Sequence, residues 1–152
     1  MLIIVSVTCL ALDEKFLFSG SEDTSIRIWD TLAIIKTESK TSSMASGGGS
    51  SRPVTINSSH LRVLKGHIRT VTALDVAHSF GYLISTSHDG TLHVWEYTTG
   101  KILYTLHHHE EFKCLVYRKM QNDVLIGTQV RINTRRENFL FCFQLETSRL
   151  IK

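Results

Sequence analysis

The feature that most constrains the fold of this chain is an internal repeat in which a tryptophan follows an aspartate by six residues. Asp23 precedes Trp29 and Asp89 precedes Trp95, and each pair follows an apolar run that contains serine. In the second copy the unit also has a clear beginning, because Gly66-His67 stands 28 residues before Trp95. Units of this kind stack on one another instead of folding alone, so the repeat predicts a repetitive architecture.

The second copy of the repeat is the most complete, and its pattern is typical of short β-strands joined by polar turns. Its central turn is His88-Asp89-Gly90, in which the glycine supplies the positive φ that a tight turn needs. β-branched and aromatic residues are dense in the strands, and Pro53, the only proline, lies outside them. The pattern predicts an all-β fold, with strands at Val71–Ala77, Tyr82–Ser87, Thr91–Tyr97 and Ile102–Leu106.

The first copy matches the second from its first strand onward but lacks its beginning. Ile3 stands where the second copy has His67, so the Gly-His element is missing. We therefore expect an intact protein of this kind to have sequence upstream of Met1. The aligned pairs are Val7 with Val71, Leu10 with Leu74, Leu12 with Val76, Ser19 with Ser85, Asp23 with Asp89 and Trp29 with Trp95.

The third copy is degenerate, and the chain ends within its fourth strand at Lys152. The alignment places His108 at the position of His67, or His109 if the register slips by one residue. The interval between its second and third strands, Val124–Thr128 and Phe139–Leu145, is six residues longer than in the second copy. The other aligned pairs are Phe112 with Val71, Leu115 with Leu74, Tyr117 with Val76, Gly127 with Ser85, Glu137 with Asp89 and Phe143 with Trp95.

A segment rich in serine, threonine and glycine separates the first two copies. Thr37–Ser59 cannot bury enough apolar area to offset its chain entropy, so we interpret it as a disordered loop. A fourth strand of the first copy is predicted after it, at Leu61–Leu64. Brief proteolysis is expected to cut this loop first. Without it, Trp29 and Trp95 are separated by about 40 residues, a typical repeat period.

These motifs resemble those of the WD40 repeat family, in which each repeat supplies strands of one β-propeller blade. The resemblance implies an all-β, partial WD40-like propeller with about two and a half to three blades of four antiparallel strands, not closed. We divide the chain accordingly. Residues 1–30 are the first repeat, 31–60 the inserted loop, 61–97 the second repeat, and 98–152 the third, truncated repeat.

In this family, the residues that match His67, Ser85, Asp89 and Trp95 form a buried hydrogen-bonded chain. The chemistry is suitable, because a buried indole N–H needs an acceptor and a serine hydroxyl can both accept and donate. A carboxylate on the turn can fix one tautomer of the histidine. We therefore predict a structural tetrad in the second repeat. Partial tetrads are predicted from Ser19, Asp23 and Trp29 in the first repeat and from His108 in the third.

Two kinds of chemical site can be weighed against this structural role. Ser85, His67 and Asp89 have the composition of a catalytic triad, but a nucleophile must be exposed beside an oxyanion hole and Ser85 lies in an apolar strand. His107–His109 suggests zinc, but adjacent residues of a strand point to opposite faces and do not converge on one ion. We expect no enzymatic activity, no metal and no cofactor.

Composition favours an ordinary globular chain, with 42% hydrophobic and 20% charged residues. The net charge of +3 is too small to argue by itself for binding nucleic acid or an anionic membrane. Cys9, Cys114 and Cys142 form no close pair, so we expect buried, reduced thiols in strands and a cytoplasmic or nuclear location.

The resemblance implies a non-catalytic scaffold for protein–protein interaction within a multiprotein complex that includes the missing blades. One alternative is a substrate-receptor or adaptor subunit of a ubiquitin ligase. Many such receptors carry an arginine three residues after the motif tryptophan, where this chain has Leu32 and Thr98. Another alternative is an RNA-processing or ribosome-assembly subunit, supported by the basic loop Val130–Glu137. In this family one rim gathers the loops predicted to bind partners, here with Glu22, Arg69, His88, Glu110, Glu111, Arg131, Arg135 and Arg136.

Overall fold

The computed structural model of the chain describes residues 6–32, 60–132 and 135–144, with the backbone alone for residues 129–132 and 135–144. These residues form eleven strands in three antiparallel sheets, each of which is a meander of neighbours in sequence. The predicted all-β fold is therefore confirmed. Most of the inserted loop, Ile3 and the chain end after residue 144 lie outside the described residues.

Each sheet corresponds to one blade. The first blade has the order β1-β2-β3-β4, with strands Val7–Leu12, Phe16–Ser21, Ile26–Asp30 and Arg62–Leu64. The second has the order β5-β6-β7-β8, with strands Val71–Ala77, Tyr82–Ser87, Thr91–Glu96 and Lys101–His107, and a 3₁₀ turn at His78–Phe80. The third pairs β9, β10 and β11, which are Phe112–Arg118, Asp123–Ile132 and Arg135–Gln144.

The blades share one register, which corrects the alignment of the third repeat. Leu74 pairs with Ser85 in the second blade, and its counterpart Leu115 pairs with Ile126 in the third. Ile126, not Gly127, therefore occupies the position of Ser85. Gly127 pairs instead with Cys114. A Cβ at Gly127 would overlap the Cys114 sulfur, so a side chain at this position would have to displace that sulfur.

Apolar side chains fill the space between neighbouring blades. Phe18 and Ile26 of the first blade pack with Leu74 and Trp95 of the second in one buried cluster. A second cluster joins the opposite face of the second blade to the third. Complete burial of one such side chain stabilises the fold by about 1.5–3 kcal/mol. The second blade, buried on both faces, is therefore held most firmly and provides a rigid support for its own polar groups.

Two further expectations are corrected. The segment Val130–Glu137, predicted as a loop, belongs to a long hairpin in which β10 and β11 stay paired as far as Ile132 and Arg135. Thiol burial was also expected, but Cys114 is exposed and Cys9 is only half-buried, because both lie on the first strand of an outer blade. Among the described residues, no helix is long and apolar enough to cross a lipid bilayer.

Candidate functional site

The four side chains of the predicted tetrad lie together inside the second blade, with a fifth among them. Trp95 Nε1–H donates to Ser85 Oγ at 2.8 Å, and Ser85 Oγ lies 2.7 Å from His67 Nε2. Across the imidazole, Nδ1 lies 2.9 Å from Thr91 Oγ1 and 3.4 Å from Asp89 Oδ2. Thr91 Oγ1 donates to Asp89 Oδ1 at 2.5 Å. Thr91 thus stands between the histidine and the aspartate.

The direction of these hydrogen bonds fixes the tautomer of the histidine. Thr91 gives its single hydroxyl proton to Asp89, so its oxygen accepts the Nδ1–H of His67. His67 Nε2 is then the acceptor for Ser85, whose oxygen accepts from Trp95. Every donor points from the indole toward the carboxylate. The chain is complete with a neutral imidazole, and both hydroxyl groups donate once and accept once.

Burial keeps His67 neutral. Its side chain has no exposed surface, and desolvation is the main cause that lowers its pKa to about 4. The neighbouring His93 lowers this pKa further, whereas Asp89 opposes the shift. The rings of His67 and His93 lie 4.4 Å apart between centroids, and burial lowers the pKa of His93 as well. A proton on either ring would therefore place a charge in the desolvated blade core, a cost that the Asp89 carboxylate offsets only in part.

Asp89 also ties the loop before β5 to the turn before β7. Its Oδ2 accepts from the backbone N–H of Ile68 at 2.8 Å, and its Oδ1 accepts from the backbone N–H of Thr91 at 2.8 Å. Burial works to raise the pKa of Asp89, but the hydrogen bonds from Thr91 and Ile68 and the adjacent imidazole leave it below the usual value. The carboxylate stays charged and holds together two loops of one rim.

The first blade contains the partial tetrad without its histidine. Trp29 Nε1–H donates to Ser19 Oγ at 2.9 Å, as in the second blade. Asp23 accepts from Ser25 Oγ at 2.5 Å and pairs with Arg27 at 2.6 Å. Burial opposes ionisation, but these hydrogen bonds and the guanidinium lower the pKa of Asp23 to about 2. Arginine thus neutralises the carboxylate from within its own blade.

The third blade brings no such chain together among its described side chains. His108 lies at the position of His67, but its Nδ1 accepts from the backbone N–H of Glu110 at 3.1 Å and its ring packs against Phe112. Ile126, fully buried, replaces the serine. Phe143 pairs with Val124 as Trp95 pairs with Leu83. Apolar packing thus takes the place of the hydrogen-bonded chain.

The buried hydrogen-bonded chain contains the serine, histidine and aspartate of a hydrolase triad, but a substrate cannot reach its serine. Ser85 has no exposed surface, and its oxygen is occupied by Trp95 and His67. A substrate carbonyl must reach the nucleophile beside oxyanion donors, and this position leaves no room for one. Among the described residues, no group of three or more histidine, cysteine, aspartate or glutamate side chains could hold a metal ion. The arrangement therefore suits support of the loops, not chemistry.

Charged side chains meet on the rim where the second and third blades adjoin. Glu111 pairs with Arg69 at 2.8 Å through Oε1 and with Lys113 at 2.7 Å through Oε2. Arg69 also donates to the carbonyl of His88 at 3.0 Å, and Lys113 Nζ lies 3.1 Å from His88 Nε2. We call Arg69, His88, Glu111 and Lys113 the rim cluster. Two cations share one carboxylate, so the cluster is positive overall.

The other predicted rim residues lie in the first blade and in the β10–β11 hairpin. Glu22 is exposed in the turn after β2 of the first blade. Arg131 and Arg136 are register partners in the β10–β11 hairpin, and Arg135 pairs with Ile132. The pKa of His88 is lowered, mainly by burial and by the Lys113 ammonium. A pH response of His88, expected near pH 6–7 from the sequence, is therefore moved to lower pH.

Sequence reasoning missed Thr91, its counterpart Ser25 and Lys113. A signal for the first two was present, because both repeats place a hydroxyl residue two positions after the aspartate. Those hydroxyls donate to the carboxylate in both blades. Lys113 carried no such signal, since it aligns with Thr72, and only the packing of two blades brings it to His88.

Comparison with known proteins agrees with this architecture. The family model described as "WD domain, G-beta repeat" matches residues 5–30 and 58–96. Mitochondrial division protein 1 of Aspergillus oryzae is 32% identical over 111 residues, which are 66% of this chain and 17% of that protein. Ribosome biogenesis protein YTM1 of Kluyveromyces lactis is 31% identical over 116 residues, which are 62% of this chain and 26% of that protein. The chain thus spans about a quarter or less of these relatives.

The crystal structure of the RRP9 WD40 repeats is similar in fold to this chain, with a TM-score of 0.60 and 21% sequence identity. The match covers 89% of this chain and 36% of the RRP9 chain. At this identity the likeness concerns the fold.

Proposed function

The chain belongs to the WD40 repeat family, and from that premise we propose that it is a non-catalytic scaffold for protein–protein interaction. The observation that carries the proposal is the rim cluster, in which side chains from separate loops converge on a support held rigid by the buried chain. Exposed loops on a rigid scaffold are where recognition usually lies. The proposed partners are other proteins of a multiprotein complex in the cytoplasm or nucleus.

The charge of this rim indicates what kind of surface it recognises. Arg69 is 57% exposed and can contact a second carboxylate while it pairs with Glu111. Arginine forks match carboxylates geometrically, and mixed charges favour a polar protein partner over a uniform polyanion. We propose that Arg131, Arg135 and Arg136, on the adjacent hairpin, extend the same surface, together with Glu22 and His88.

Affinity purification of the full chain followed by quantitative mass spectrometry tests the proposal. Charge reversal by Arg135→Glu with Arg136→Glu, or by Arg69→Glu, should reduce partner capture by about ten-fold, which corresponds to 1.4 kcal/mol. The matched control is Lys15→Glu with Lys101→Glu, which reverses two cations away from this rim. Deletion of residues 37–59 should also leave capture unchanged. Undiminished capture by the rim variants at unchanged melting temperature contradicts the proposal, and so does loss in the controls alone.

A second candidate is a subunit of a ribosome-assembly complex, favoured by the similarity to the ribosome biogenesis protein YTM1. The basic hairpin is the part of this chain that suits contact with RNA. Retention on immobilised single-stranded RNA should then fall steeply with salt, because phosphate contacts release counterions. The Arg135→Glu/Arg136→Glu variant should reduce the slope of that dependence by about two phosphate contacts. Equal retention of the variant would remove this candidate.

A further inference from the structure

We propose that a cavity between the first two blades binds an apolar side chain of an acidic peptide segment, at a second interaction site away from the rim cluster. The cavity has a volume of about 130 Å³ and is lined by Phe16, Ile28, Leu61, Arg62, Tyr97 and Thr98. Its walls come from β2, β3 and β4 of the first blade and from the turn after β7 of the second. Both blades are needed to form it.

The aromatic wall of the cavity is fixed in advance. The Tyr97 hydroxyl donates to Asp13 at 2.7 Å, and Asp13 also pairs with His78 at 2.7 Å. The Tyr97 ring contacts Phe16 and Phe18, with centroids 5.8 Å and 5.3 Å apart. A wall held by a hydrogen bond and two ring contacts loses little conformational freedom when a ligand binds. Such pre-organisation lowers the entropic cost of binding.

Arg62 is the one charged residue among the six that line the cavity, and its neighbours hold it in place. Its Nη1 donates to the carbonyl of Thr99 at 2.5 Å, and its stem lies across Gly100. Gly100 has a φ of +80°, which lets the turn bend without a side chain in the way of the arginine. A guanidinium has five N–H donors, so the bond to Thr99 leaves donors that suit a carboxylate.

The size and charge of the cavity define the occupant. Drug-sized ligands and cofactors usually occupy pockets of about 300–1,000 Å³, which excludes them here. A cavity of about 150 Å³ holds a benzene ring. At about 130 Å³ this cavity is smaller, so it suits the side chain of one leucine or isoleucine. Arg62 then selects a carboxylate next to that residue. The occupant is therefore a peptide segment with an apolar residue beside an aspartate or glutamate.

Selection from a library of short random peptides displayed on phage, with the immobilised full chain as bait, tests this proposal. We expect enrichment of peptides that place a leucine or isoleucine within two positions of an acidic residue. Leu61→Trp fills the cavity and should reduce binding of the selected peptides at least about ten-fold. The matched control is Ile68→Trp, since Ile68 is 81% exposed and does not line the cavity.

Charge reversal separates the role of Arg62 from that of the apolar walls. Arg62→Glu should abolish binding of the acidic peptides, whereas Lys101→Glu, a reversal of a nearby exposed cation outside the lining, should preserve it. Circular dichroism verifies that each variant is folded. Failure to enrich such peptides, enrichment without an acidic residue, or binding that survives both Leu61→Trp and Arg62→Glu would overturn the proposal. None of these results depends on the rim cluster, so the two proposals are tested separately.

Discussion

Trp95 and Trp29 occupy the same position in neighbouring blades but differ in burial and in the partners of their serines. Trp95 is 1% exposed and its Ser85 is joined to His67, whereas Trp29 is only half-buried and its blade has no such histidine among the described residues. Removing the indole N–H from each position therefore has unequal consequences. The phenylalanine substitution isolates this difference, because it keeps an aromatic ring and deletes the donor.

Trp95→Phe should destabilise the fold by about 2–4 kcal/mol, through a smaller buried ring and a serine oxygen left with one fewer hydrogen bond. Trp29→Phe should cost about half as much, since its surroundings can relax and admit water. Urea unfolding followed by circular dichroism measures both. Equal losses in the two variants would show that the buried chain adds nothing beyond ring packing.

The neutral state of His67 predicts a pH dependence of stability. Its folded pKa of about 4 lies below the ordinary value near 6.5, so the unfolded state binds more protons between these two pH values. The free energy of unfolding should therefore fall as pH drops from 6.5 to 4, by an amount on the order of 3 kcal/mol. His67→Gln should flatten most of this slope, and the remainder is expected from His93, whose pKa is also lowered. An unchanged slope in that variant would contradict the assignment.

The part of the site that could be predicted from the sequence is the set of residues that the repeat motif places at fixed spacing. Trp95, Ser85 and His67 stand at fixed intervals. The strand register brings Ser85 and Trp95 to the same face, and His67 contacts Ser85 from the loop before β5. The role of His93 could not be predicted from its counterpart in the first blade, Arg27. Arg27 forms an ion pair with Asp23, whereas the His93 ring packs against His67. The spacing of the motif residues predicts where each side chain lies in the blade. Which groups it contacts depends on the other side chains that are buried beside it.

At the scale of elements, β5 and β6 have the bounds predicted from alternation and turn chemistry, and the third blade does not follow its predicted alignment. The strand pattern of the sequence aligns Gly127 with Ser85, and the third repeat has no tryptophan that could fix the register. The informative pair was Cys9 with Gly20, which recurs as Cys114 with Gly127. A close contact between strands thus set the register where the tetrad motif was lost.

The hairpin β10–β11 was missed for a different physical reason. Its sequence around residues 130–137 is rich in arginine and polar residues, a composition usual for loops. Pairing nevertheless continues along this segment as an extension of a strand pair in which Val124 and Ile126 of β10 are buried in the core. Tertiary anchoring can extend a ladder into residues whose intrinsic preference is weak. Arg131 and Arg136 are register partners in this extension of the ladder.

For the whole molecule, the contrast between β1 and β5 shows that the stacking of one blade on another buries the apolar residues of the first strand. Val71, Leu74 and Val76 are at most 8% exposed because the first blade covers them. Their counterparts Val7, Leu10 and Leu12 are 59%, 61% and 62% exposed. Equivalent residues therefore differ only in whether a blade lies against them. An apolar stripe on an edge strand favours association, since both the side chains and the free backbone groups of an edge can be paired by a second chain.

We expect the 152-residue chain by itself to self-associate through this stripe, as the uncovered face of β1 is the counterpart of an interface that is buried elsewhere in the same molecule. Sedimentation velocity over a range of concentrations should show species larger than a monomer. Leu10→Glu with Leu12→Glu should shift the chain toward monomer, because charges cannot be buried in such a contact without a partner. Ile68→Glu, which places the same charge on an exposed apolar residue at the rim, is the matched control and should leave association unchanged. A chain that stays monomeric at every concentration, with a reversible two-state melt, would show that the open face is stable without cover.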